Sequence, residues 1–162
     1  MGADLYINKL QKQCRRKNIR NFNRWCKKRD IAEENSERRA FCQAKVSLYC
    51  NKMYERGYFR DSYNSSSVMW RLGLSWWEDI GKMIDSESNL TVEKARELRD
   101  IVATTPLTLA KSVEELKEAH CGIEGMVDPV KEWNDYFKDK KLQFIDFLDE
   151  AIRLREPIYC SC

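Results

Sequence analysis

The chain has 162 residues, of which 43% are hydrophobic, 11% aromatic and 34% charged, with a formal net charge of +3. That length suits one domain with a sizeable core, and that hydrophobic content excludes a disordered polyelectrolyte. No apolar run approaches the ~18 residues of a membrane-spanning helix, and the opening MGADLYINKLQKQ lacks a signal-peptide hydrophobic region, so a soluble cytoplasmic protein with no membrane partner is expected.

Residues 3–8 alternate apolar and polar side chains, a pattern that permits a short strand. From position 9 to 29 there are ten basic residues and no acidic one, with Leu10, Cys14, Ile19, Phe22, Trp25 and Cys26 interspersed at near-helical spacing. Residues 1–60 carry 16 Lys+Arg against 6 Asp+Glu, whereas residues 61–162 carry 13 against 20. A basic field of that density attracts nucleic-acid phosphates or another acidic partner. Its candidate contacts are Arg15, Arg16, Lys17, Arg20, Arg24, Lys27, Lys28 and Arg29, with Asn18, Asn21, Asn23 and Trp25 available to meet bases. No recognisable nucleic-acid-binding motif accompanies them. Residues 31–56 form a second helical segment, with Phe41, Ala44 and Leu48 on its apolar side beside Val46, Tyr49 and Met53. Gly57 stands where a left-handed helix cap falls.

The stretch 58–79, YFRDSYNSSSVMWRLGLSWWED, is the densest in chemistry and holds three of the five tryptophans. Its pattern reads as loop, short helix, bend, short helix. Asn64 and Ser65 to Ser67 are helix-initiating types, Gly73 interrupts, and Ser75 to Glu78 has capping-box spacing. Two adjacent tryptophans lie about 100° apart on a helix, so one of Trp76 and Trp77 is left partly exposed. The candidate binding surface is Arg60, Asp61, Tyr63, Asn64, Trp70, Trp76, Trp77, Glu78 and Asp79. The competing structural account has the aromatics plugging the core and the polar residues satisfying loop backbone. Asp61, Glu78 and Asp79 are also the types an acid/base or metal-dependent enzyme would use.

Thr91 can cap a helix that Thr104, Thr105 and Pro106 break. Ser112 opens a short helix to about His120, and Asp128 with Pro129 starts the clearest helix, which ends before Pro157. Residues 158–162 can run extended and pair with the opening strand as a small two-stranded ribbon. Seven cysteines and one histidine offer His120, Cys121, Cys160 and Cys162 as zinc ligand types. There is no CxxC pair and no second histidine, so free thiols packed as small apolar groups are the better account. No cofactor or metal is implied.

The opening MGADLYI, the segment GYFRDSYN followed by LGLSWW, and the ending REPIYCS together resemble a group of bacterial and phage-type proteins. The resemblance spans the chain and carries no activity, cofactor or catalytic residue. It implies that both ends and the central stretch belong to one structural unit. The expectation is therefore a mainly α, single helical domain over residues 1–162 with at least five helices. It engages a protein partner through the 58–79 surface, with nucleic-acid binding by the basic segment as the alternative.

Overall fold

The computed structural model describes residues 2–161, and these fall into two compact units, residues 7–58 and residues 2–6 with 59–161. The expectation of a mainly helical chain holds, since six α-helices carry most of the described residues.

The 7–58 unit is a helical hairpin. Helix α1 spans Asn8–Asp30 and α2 spans Glu37–Met53, and the two pack on each other. Helix α1 has no acidic residue in its first turn but Lys27, Lys28 and Arg29 in its last, where cations oppose the negative dipole end. Helix α2 starts at Ser36, whose hydroxyl accepts from the Arg39 N–H at 3.2 Å. Cys42, Val46 and Met53 form its buried side. Val46 and Met53 are thus buried as expected, whereas Phe41, Ala44 and Leu48 of the same expected side are exposed. Asn18 ties the hairpin together, donating to the Cys14 and Lys52 carbonyls. Gly57 is left-handed (φ +69°) but caps no helix. A Cβ there would lie 2.7 Å from Leu10 Cβ and 2.9 Å from the Ile7 carbonyl oxygen, so only glycine lets this turn close onto α1.

The second unit contains a four-stranded sheet of order β2-β1-β4-β3, with β1 Gly2–Tyr6, β2 Tyr58–Ser62, β3 Asn89–Leu90 and β4 Ile158–Ser161. The strands from the two ends pair antiparallel, Leu5 opposite Cys160. The expected ribbon is thus found only in part, since its two strands are the inner pair of a wider sheet. Strand β2 replaces the loop expected at the start of the central stretch. Its alternation buries Phe59 and Asp61 and exposes Arg60, the half-buried pattern of a strand.

Helix α3 is a single turn, Val68–Arg71, and is followed by a π-helical turn at Trp76–Ile80 and a 3₁₀ turn at Gly81–Met83. Helix α4 covers Val92–Thr104, α5 Val113–Glu118 and α6 Pro129–Leu154. Each begins at the capping residue the sequence named: Thr91, Ser112 and Asp128 accept from the N–H of Lys94, Glu115 and Lys131. Helix α6 buries Phe137, Phe144, Leu148 and Ala151 at spacings of seven, four and three, a helical stripe, and the helix packs on α4. Phe59 from β2 meets Phe144 at 4.5 Å, and Trp76 meets the same ring edge-on at 6.0 Å. The aromatic core therefore fixes where the central stretch lies.

Candidate functional site

The central stretch is organised by a buried carboxylate. Asp61 is 5% exposed. Its Oδ1 accepts from the Val68 N–H at 3.1 Å, and its Oδ2 accepts from Met69 N–H and Trp76 Nε1 at 3.2 and 3.1 Å. The first two donors are orphan groups of the α3 N-terminus, and the third is the buried indole of the next turn. Burial raises the carboxyl above its ordinary value, against the lowering pull of these hydrogen bonds. Asp61 is thus a clamp that holds β2, α3 and the π turn in register. It is not a surface contact, and its oxygens are already occupied.

Ser67 caps α3 by accepting from the Trp70 N–H at 2.9 Å. The cap aims the single turn so that Val68, Met69 and Arg71 go inward while Trp70 remains 61% exposed. The tryptophan pair divides as the helical angle requires, with Trp76 3% exposed and Trp77 62%. Tyr63 covers one side of Trp77, the rings 5.1 Å apart and tilted by 31°. Asn64 shapes the intervening turn by accepting from Ser66. Arg60 lies on the opposite side of β2 from Asp61, next to Asp4 at 3.7 Å. Of the expected binding residues, the exposed ones are therefore Trp70, Trp77, Glu78, Asp79, Asn64 and Arg60, with Tyr63 half-buried against Trp77.

The Ser75 cap departs from the expected box. Its hydroxyl accepts from the N–H groups of Trp77 and Glu78, but the carboxylate that returns to the Ser75 N–H is Asp79 Oδ2, at 2.8 Å. The turn is π-helical, the Ile80 N–H reaching the Ser75 carbonyl at 3.1 Å, and one extra residue per turn moves the reciprocal partner one place on. The Glu78 carboxylate is consequently left with no hydrogen bond or ion pair among the described residues.

A recess of about 520 Å³ lies beside these groups, lined by Trp70, Arg71, Leu74, Glu78, Asp79 and Glu115, among others. Sequence reasoning missed Arg71 and Glu115. The Arg71 guanidinium is 4% exposed, donates to Glu115 Oε1 at 2.6 Å and sits 4.7 Å from the Phe137 ring centroid. Its Nε is buried with no partner, alone in this among side-chain polar atoms of the described residues. Glu115 also accepts from the Lys111 N–H at 3.0 Å; that bond and Arg71 hold its carboxyl below the ordinary value. The nearby Cys121 thiol is pushed up by burial, which outweighs Arg71. Arg71 is one arginine among many in sequence, and its pairing across 44 positions has no local signal.

Among the described residues no three His, Cys, Asp or Glu side chains cluster closely enough to hold a metal ion. Cys42, Cys121 and Cys160 are buried, and Cys162, one of the four zinc-type residues, lies outside the described residues. Among the described helices none is long and apolar enough to cross a membrane. Comparison with protein-family models, curated proteins and solved structures gives no match.

Proposed function

We propose that the protein acts by binding, and that the recess beside Trp70 takes a basic side chain, Arg or Lys, from a protein partner. The observation that carries this reading is an indole 61% exposed at a recess where Glu78 is unpaired. A cation over an exposed tryptophan face is worth about 0.5–1 kcal/mol, and a carboxylate within reach adds a charge-assisted hydrogen bond. Arg71 does not oppose such a guest, because Glu115 already neutralises it. Exposed tryptophan is also a favoured interface anchor.

A displayed peptide library selected against the intact protein tests this. The expected winners share a basic residue, lose binding at least tenfold when it becomes citrulline or norleucine, and fail to bind Trp70→Ala or Glu78→Gln. Both variants should keep the wild-type melting temperature, because neither side chain packs in the core. Winners without a basic residue, or winners indifferent to Trp70 and Glu78, would remove the proposal.

A further inference from the structure

We infer that the outer face of α1 binds B-form DNA through its phosphates, an activity that does not rest on the partner recess. At 100° per residue, positions 9, 12, 13, 16, 17, 20, 23, 24 and 27 fall on one arc of α1 about 140° wide. Every one of them is Lys, Arg, Gln or Asn, and every one is exposed. Six of these cations, Lys12, Arg16, Lys17, Arg20, Arg24 and Lys27, form no hydrogen bond or ion pair with the described residues. Within the 7–58 unit there are 15 Lys+Arg against 5 Asp+Glu. Like charges four apart (12 with 16, 16 with 20, 20 with 24) repel and weaken a helix. Nothing inside the hairpin relieves that repulsion, so the pattern is intelligible as preparation for an external polyanion.

The arc also selects among polyanions. Its complement is spent within the hairpin, where Leu10 is buried, Asn18 donates to the Lys52 carbonyl and Trp25 meets Phe41. No apolar side chain lies among the cations, whereas a helix that binds an anionic membrane must bury one. No aromatic lies there either, so unpaired bases would find no stacking platform. The cations cover a wide arc over about 22 Å of helix at 1.5 Å per residue. Lys12 and Lys17 stand at its two edges, placed to meet phosphates on both walls of a groove. A helix about 10–12 Å across fits a B-form major groove about 12 Å wide, while the A-form RNA groove is too narrow for side chains to read. Asn18, an expected base contact, is instead consumed inside the hairpin.

Fluorescence polarisation of the full chain with a labelled duplex DNA of mixed sequence, from 50 to 200 mM salt, tests the inference. Six phosphate contacts give a slope near −5 for log K against log salt, so affinity falls about 10³-fold over that range. Arg16→Gln with Arg20→Gln should weaken binding and flatten the slope by about two. Because this pair also relieves repulsion, its melting temperature should hold or rise, which a structural role would not allow. Lys94→Gln with Lys131→Gln, which changes two cations already in ion pairs, should leave the affinity unchanged. The inference is overturned by no duplex binding at 50 mM salt, or by equal or tighter binding to single strands or duplex RNA. Binding to phosphatidylserine vesicles without duplex binding overturns it as well.

Discussion

A single buried side chain decides whether the central stretch has one conformation. Asp61 on β2 accepts three hydrogen bonds from two other segments, α3 and the π turn, so its charge state is coupled to their docking. Burial is the larger influence and raises its pKa, which means the folded chain binds that proton more tightly than the unfolded chain. The stability this proton gives is complete below the ordinary carboxyl value of 3.8 and is lost as pH rises through the higher folded value. Asp61→Asn removes the titration and puts amide hydrogens against N–H donors, at a cost of about 1–3 kcal/mol for an unsatisfied buried donor. Urea midpoints measured across pH should show the wild-type advantage over Asp61→Asn greatest in acid and shrinking as pH rises through that window. An advantage that grows with pH would mean the three donors outweigh burial. The sequence marks Asp61 as a candidate surface contact or reactive carboxylate and offers backbone satisfaction only for the polar residues of the stretch as a group. Its role depends on a strand that reads locally as a polar loop.

At the scale of elements, local chemistry was legible where it acts within a few residues. Ser67, Thr91, Ser112 and Asp128 each cap the helix that follows, because a cap needs only a short side chain and the next turn. The Ser75 turn shows where spacing misleads. Ser, Trp, Trp, Glu promises a reciprocal bond from Glu78, yet the wider π turn gives it to Asp79. Three substitutions separate the roles. Ser75→Ala should cost about 1 kcal/mol, as a lost cap does, and Asp79→Ala should cost measurably in the same direction. Glu78→Ala should stay within about 0.5 kcal/mol of wild type while losing the basic peptide. Chemical denaturation paired with peptide binding reads both effects, and destabilisation by Glu78→Ala in place of Asp79→Ala would restore the simple box. The α2 face is legible only in part: Val46 and Met53 are buried as their pattern implies, but Phe41 and Leu48 have the apolar character of core residues and are exposed. Binary pattern alone does not choose between them and the smaller Cys42.

For the whole molecule, the chain's two ends are the least local feature and the one most weakly written in its residues. Alternation over residues 3–8 and an apolar tail after Pro157 allow two strands, but neither states that another strand lies outside each of them. Strand β2 and the two-residue β3 are short, and their membership depends on partners far along the chain. The resulting order makes β1 an inner strand, flanked by β2 and β4. Leu5 is fully buried and sits opposite Cys160, so one side chain near the N-terminus supports the C-terminal strand. Leu5→Ala should cost about 2–5 kcal/mol, the range for a buried leucine. Leu142→Ala provides the control, because Leu142 is 59% exposed on α6, and its cost should stay near 0.5 kcal/mol or below. Hydrogen exchange locates the damage. In Leu5→Ala the amides of β1 and β4 should lose protection together, since the two strands pair with each other. Loss confined to residues 2–6, with β4 as protected as in the wild type, would show that β4 is held by the helices and not by its pairing with the N-terminus.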